Sequence, residues 1–417
     1  MPDGAFAVPL DIALIAHLKY PIAEPFAGGL EMHTHLLARA LIRRGHRVTL
    51  FAAEGSDPAL NLRAVCPPTG EGHGDLLKEE QVALAELDAY RAIMEQVAAG
   101  QFDLVHNAAL HDLPLTMAHC LRIPMVTAFH TPPFPGLETG VRDRSGEGMR
   151  FVAVSDCVRD IWSPIVPVDA VVGNGIDLGQ FAFGAITGSH AIWSGRLVPE
   201  KGPHLAIDAA RRAGIPLRLA GPRSNEDYWS NEILPRLGEG VTYLGHLGHA
   251  ALAREVAGAR VALCTPRWEE PYGLVVAEAL ACGTPVAGFA RGALPQIVDA
   301  LSGALAPPDD VVGLAEAIRA ASHLRRADCR RRAEQVCDAM VMVAGYEAIY
   351  RTMLAPAIAQ PASPALQAAR PLGAALRTAL QEDRPLPDPA ALRPVVSPVA
   401  QAARLAQQRP ATPQAAP

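Results

Sequence analysis

Short apolar runs alternate with helical stretches along most of the chain, and this alternation restricts the fold more than any other feature. In the first half LDIALIAHL, HRVTLFAA, FDLVHNA, PMVTAFH, RFVAVS and VDAVVG read as strands, and GGLEMHTHLLARALIRRG reads as the first helix. Met32, Leu36, Leu37, Ala40 and Leu41 fall on one side of that helix. The rhythm resumes after His190 with AIWSGR, PLRLAGP, VTYLGH, RVALCTP and PVAGFA, each followed by a helical stretch. Strands alternating with helices make a parallel sheet covered on both faces. Two such series predict an α/β protein of two doubly wound, Rossmann-like domains, residues 1–175 and 176–337, joined near Asn174 to Phe181. Ligands of such sheets bind beyond the carboxyl ends of the strands, which places the site in the cleft where the two domains face each other. A last helix is expected over 338–354. Beyond Leu354 the sequence is rich in Pro and Ala and has no aromatic residue. It cannot bury enough to fold alone, so 355–417 is expected to be a disordered tail.

The stretch WEEPYGLVVAEALACGTPV, Trp268 to Val286, carries the chemistry. RVALCTP is a strand, RWEEPYG the loop at its carboxyl end, and LVVAEALACG a helix that is apolar on every side except at Glu278. A helix hydrophobic all round is normally buried, and a buried carboxylate is costly unless something satisfies it. The first amides of the helix are unpaired donors, a ready anion site. Glu270 lies just ahead of them, and Glu278 lies roughly 8 Å from the helix start at ~1.5 Å per residue. Carboxylates suit hydroxyls and amides suit an anion. Hydroxyl, anion, hydroxyl is the order of hexose, diphosphate and ribose in a nucleoside diphosphate sugar. Arg196 and Lys201, in the loop of GRLVPEKG, add two cations at the same mouth and could neutralise a diphosphate directly. The glycine pair of FAGGLEMHTH, between the first strand and the first helix, lets backbone approach a phosphate or sugar. It is not GxGxxG, and no acid marks a ribose partner ~20 residues on, which argues against a dinucleotide oxidoreductase.

EEPYGLVVAEALACGTPV, GRLVPEKG and NGID, in that order, resemble the family 4 retaining glycosyltransferases of GT-B fold, with GGLE, FHTP and AVSD adding to the match. GRLVPEKGPHLAIDAARRAGIPLRLAGP looks most like a subgroup named after a transferase of avilamycin biosynthesis. The resemblance implies that Arg196 and Lys201 bind the donor diphosphate and that Gly29 approaches it from the first domain. Glu270, with the backbone at Gly273 and Leu274, would hold the hydroxyls of the donor sugar, and the Val275 amide would add to the phosphate site. Glu278 would take the ribose, Leu247 would meet the base through backbone, and His130 would reach the transferred sugar across the cleft. Gln296 stands where the family usually has glutamate, Ala300 where it usually has glycine, and Asn107-Ala108 where a histidine often occurs beside His106 and His111. The resemblance implies that the last of these regions faces the acceptor.

The expected activity is transfer of a hexose from a UDP- or GDP-sugar to an acceptor hydroxyl with retention of configuration. The alternatives are a nucleotide-sugar epimerase of the same fold and a sugar-nucleotide-binding protein without turnover. No cofactor is expected. No DxD motif occurs in the chain, and His33 and His35, two apart on a helix, point away from each other, so no metal is expected either. Seven cysteines, odd in number and without CxxC spacing, fit neither a disulfide framework nor a zinc site, and a cytoplasmic protein is expected. The start of the chain lacks the basic residues of a signal peptide. No segment approaches the ~18 apolar residues of a membrane span. Residues 1–170 carry 13 Lys/Arg against 21 Asp/Glu, which excludes a nucleic-acid footprint. Arg39, Arg43, Arg44 and Arg47 leave a weak peripheral membrane contact open, although a solvated face suits so acidic a domain better. RRADCRRRAEQ is likewise expected to be the solvated face of a helix.

Overall fold

The computed structural model describes residues 8–70, 76–185 and 188–355. The first seven strands are β1 (Asp11–Ile15), β2 (Arg47–Ala52), β3 (Leu62–Ala64), β4 (Leu104–Asn107), β5 (Met125–Phe129), β6 (Met149–Ala153) and β7 (Ala170–Val171). The remaining six are β8 (Ala191–Ser194), β9 (Leu217–Ala220), β10 (Val241–Tyr243), β11 (Val261–Cys264), β12 (Val286–Phe289) and β13 (Gly303–Ala306). The first set forms one sheet in the order β3-β2-β1-β4-β5-β6-β7 and the second forms another in the order β10-β9-β8-β11-β12-β13. Every pairing in both sheets is parallel. These are two doubly wound α/β sheets, the GT-B architecture the sequence implies.

The strands read as continuous apolar runs because both faces are covered. Ile12, Leu14, Leu50, Leu104, Val126 and Val152 form the core of the first sheet. Trp193, Leu217, Leu219, Val261, Leu263 and Phe289 form that of the second. In each sheet the strand order reverses once, between β1 and β4 in the first and between β8 and β11 in the second. Such switch points are where doubly wound sheets open a crevice for ligands. Two strands had no signal in the sequence. β3 is LRA, a short partly exposed edge strand, and β13 is GALA, which has none of the β-branched or aromatic residues that mark strands.

The last helix, Ala339–Leu354, returns to the first sheet. Met342, Val343, Tyr346 and Tyr350 join that core, and Glu347 accepts from Arg44 Nη2 at 2.8 Å and lies 3.1 Å from His46 Nε2. All of the tail but Ala355 lies outside the described residues. No described helix is long and apolar enough to cross a membrane.

The run RRADCRRRAEQ departs from expectation. Arg326 is buried, and its guanidinium donates to the carbonyls of Gly184, Ala259, Ala257 and Cys282. Arg330 donates to Phe181 O and Ala281 O, and Arg332 to Ile297 O and Gln296 O. Three of the five arginines therefore dock the Arg326–Val336 helix onto chain carbonyls that have no other side chain to bond. A fork of five donors on a long stem can reach such carbonyls from a helix whose sequence looks wholly solvated. Arg326→Leu should cost at least about 3 kcal/mol of folding stability, since several buried carbonyls lose their donor at once. Urea unfolding would read this, and a loss below about 1 kcal/mol would mean that water replaces the guanidinium.

Candidate functional site

Two loops of the second domain meet at the carboxyl ends of β8 and β11, and Thr265 ties them together. Its hydroxyl lies 3.0 Å from Lys201 O and 2.9 Å from Gly202 O, and it accepts from the Trp193 indole N–H at 3.1 Å. Lys201 is thereby held against the loop that carries Trp268, Glu269 and Glu270. Lys201 Nζ donates to Glu270 Oε2 at 2.5 Å, and Trp268 Nε1 donates to the same oxygen at 2.9 Å. The ammonium also lies 5.1 Å from the Trp268 ring centre. One carboxylate oxygen is thus fixed by two donors, while Glu270 Oε1 has no partner among the described residues.

Glu269 points elsewhere. Its Oε2 accepts from Gly292 N–H at 2.9 Å and lies 3.6 Å from Cys157 Sγ of the first domain. Gln296, the residue that departs from the family pattern, accepts from the Asp156 N–H at 2.9 Å. These contacts join the domains at one edge of an open cavity of about 520 Å³ lined by Asp156, Cys157, Glu269 and Gln296.

The helix Leu274–Ala281 starts at Gly273, whose φ of +88° lies in the left-handed region that favours glycine. The turn leaves the amides of Leu274 and Val275 without partners inside the helix. Gly29, from the first domain, closes over this point, and a Cβ on it would stand 2.8 Å from Leu274 Cδ1. A side chain there would push the end of the Leu274 side chain aside. Gly28 caps the first helix, and Glu31 three residues on turns its carboxylate back onto the Gly28 amide, as an acid at that position of a capping box does. The same carboxylate lies 3.0 Å from His17 Nε2. Burial pushes Glu31 up, but His17 and the amides of Glu31 and Gly28 outweigh it and leave its pKa below the ordinary value.

Glu278 lies one turn into the Leu274–Ala281 helix, 6% exposed, with no side-chain partner among the described residues. Burial alone raises its pKa to about 7. His130 follows β5, is buried, and has an unpartnered Nε2. Its ring centre lies 4.5 Å from that of His33, and burial, followed by His33 and His17, holds its pKa well below the usual value. It is therefore a neutral imidazole that can donate or accept a hydrogen bond. Arg196 is exposed on the loop after β8 with no guanidinium partner among the described residues, and Leu247 is half-buried on the loop after β10. His35 pairs with Asp57 at 2.9 Å while His33 packs on His130, so the two diverge as their spacing requires.

The structure brings together Lys201, Glu270, Gly273, Leu274, Val275 and Gly29, with Glu278 one turn behind. No hydrogen bond links His130 to Glu270. Sequence reasoning missed Trp268, Thr265 and the Glu31–His17 contact. Trp268 was visible in WEEPYG, but an indole reads as core until its N–H is seen to point at a carboxylate.

Two family profiles match consecutive parts of the chain: Glycosyltransferase Family 4 over residues 27–180 and Glycosyl transferases group 1 over 188–336. A glycogen synthase of Mycobacterium tuberculosis is 26% identical over 358 residues, covering 73% of this chain and 84% of its own. A D-inositol 3-phosphate glycosyltransferase of Mycobacterium bovis is 29% identical over 373 residues, 76% of each chain. Among solved structures, AviGT4, a glycosyltransferase involved in avilamycin A biosynthesis, superimposes with a TM-score of 0.62 at 23% identity, over 84% of this chain and 99% of its own. Anabaena HepE, solved with UDP and glucose, gives 0.63 at 17% identity over 82% and 100%.

Proposed function

We propose a reaction for this chain on the premise that it belongs to the family 4 glycosyltransferases and is a glycosyltransferase of GT-B fold. The reaction is transfer of a hexose from a UDP- or GDP-sugar to an acceptor hydroxyl, with retention of anomeric configuration and without a metal. The carrying observation is Glu278, a buried carboxylate without a partner, one turn behind open helix amides. A group left so is satisfied by a ligand, and the hydroxyls of a ribose supply what it lacks. The diphosphate then lies on the amides of Leu274 and Val275 with Gly29 opposite, flanked by Lys201 and Arg196. Leu247 meets the base. Glu270 Oε1 faces the hydroxyls of the hexose, and His130 approaches that sugar from the first domain. HepE, a neighbour in fold that holds UDP and glucose, supports this class of donor.

No side chain stands as an obvious nucleophile. The acceptor oxygen bonds to the anomeric carbon on the face from which the diphosphate leaves, and the departing phosphate oxygen takes the acceptor's proton. The protein then holds geometry and meets the charge that develops on the leaving group. Glu270→Ala should lose turnover far more than nucleotide affinity, because Glu270 meets the sugar and not the nucleotide. Calorimetry with UDP and GDP, alongside product formation, separates the two effects. If Glu270→Ala abolishes nucleotide binding while Glu278→Ala leaves it intact, the two carboxylates have been assigned the wrong way round.

A further inference from the structure

Three neighbouring strands of the second sheet end on glycine. Gly195 follows β8, Gly221 follows β9, and Gly245 lies two residues past β10. Their backbones continue the ladder, with Gly195 N–H donating to Ala220 O at 3.0 Å and Gly221 N–H to Gly245 O at 2.9 Å. A Cβ on Gly221 would stand 1.8 Å from Gly195 O, so no side chain can rise there. The three strand ends thus make a floor of bare backbone, with Gly245 two residues ahead of Leu247.

Arg223, two residues past Gly221, stands next to this floor. Its guanidinium carbon lies 4.4 Å from the Trp229 ring centre and 5.4 Å from that of Tyr243. Those rings pack on each other at 4.6 Å, and the Tyr243 hydroxyl donates to Gly221 O at 2.8 Å, which anchors the aromatic pair to the floor. No carboxylate or carbonyl pairs with the guanidinium among the described residues. A cation on aromatic faces is held in place, and its planar fork keeps its N–H donors for something else.

We propose that Arg223 selects the base of the donor by donating to a keto oxygen, O4 of uracil or O6 with N7 of guanine; this rests on the nucleotide-sugar reading above. A ring lying on the glycine floor turns its edge towards the fork. Adenine and cytosine present an amino group at the corresponding edge, donor against donor, and are rejected. An arginine fork on a guanine edge is the commonest base-specific pairing in nucleic-acid recognition, and it gives a discrimination of roughly 10-fold or more.

The test is calorimetric titration of the full chain with UDP, GDP, ADP and CDP, for wild type and for Arg223→Leu, which keeps an apolar cover on the rings. Wild type should bind UDP or GDP at least roughly 10-fold tighter than ADP and CDP. Arg223→Leu should narrow that gap to about 2-fold by weakening only the keto nucleotides. An equal loss for all four nucleotides would make Arg223 a phosphate ligand and overturn the proposal. So would an unchanged gap, or a wild type that binds nucleotides with no keto preference. A wild type that binds none of the four overturns the donor reading, and this proposal falls with it.

Discussion

Lys201→Ala should slow glycosyl transfer by roughly 10²-fold or more, the loss expected when one preorganised donor at a developing charge is removed. In the proposed reaction, departure of the nucleoside diphosphate builds negative charge at the mouth of the cleft. Lys201 is already fixed there, by Glu270 at 2.5 Å, by the face of Trp268 and by the Thr265 staple beneath its backbone. A donor held in this way needs no reorganisation as the charge appears. Arg196→Ala should cost less than Lys201→Ala, because its exposed side chain must be ordered when the donor binds. Both variants should keep their relative rates in excess EDTA, and the wild type should be fully active there. Product formation with and without chelator checks all three proteins. Activity that vanishes with EDTA and returns with magnesium, while both variants remain near normal, would mean that a metal and not these cations meets the charge.

Glu278→Gln should make the protein more stable at pH 8 and poorer at holding nucleotide. Burial raises the carboxyl to about 7 in the folded protein from an ordinary 4.5. Between those values the native state holds a proton that the unfolded state has lost, so this group's contribution to stability falls as pH rises through that window. Above pH 7 the native protein carries a buried, unpartnered charge at a cost of roughly 3 kcal/mol. Glutamine removes it, so the variant should melt several degrees higher than wild type at pH 8 and close to it at pH 5. A ribose bond to a charged group is worth about 1.5–3 kcal/mol, which sets the expected loss of nucleotide affinity. Hydroxyls donate to the ionised form, so wild-type affinity should rise with pH up to about 7 while the variant stays flat. A variant less stable than wild type at pH 8 would show that Glu278 already has a partner in the free protein. The arrangement fits a site whose cost in stability is recovered on binding.

The sequence by itself determined the two-sheet architecture, eleven of the thirteen strands, the helix behind Gly273 and the buried position of Glu278. These are one-dimensional properties. Periodicity and apolar run length follow from which faces are covered, and a glycine before a helix follows from local dihedrals. Tertiary structure alone decided the rest. Glu269 and Glu270 are identical in type and adjacent in sequence, yet one bonds Gly292 and the other Lys201. The choice depends on a lysine 69 residues away, whose loop after β8 is tied to theirs by the Thr265 hydroxyl. The arginines of the Arg326–Val336 helix read as solvated because charge predicts water, but whether water or a set of unpaired carbonyls receives a guanidinium depends on packing. The last helix carries Glu347 back to Arg44 and His46 across some 300 residues of chain, a distance at which no local pattern holds information. Side-chain partners across the fold are set by where rigid elements come to rest, and that is fixed only when the whole core is packed.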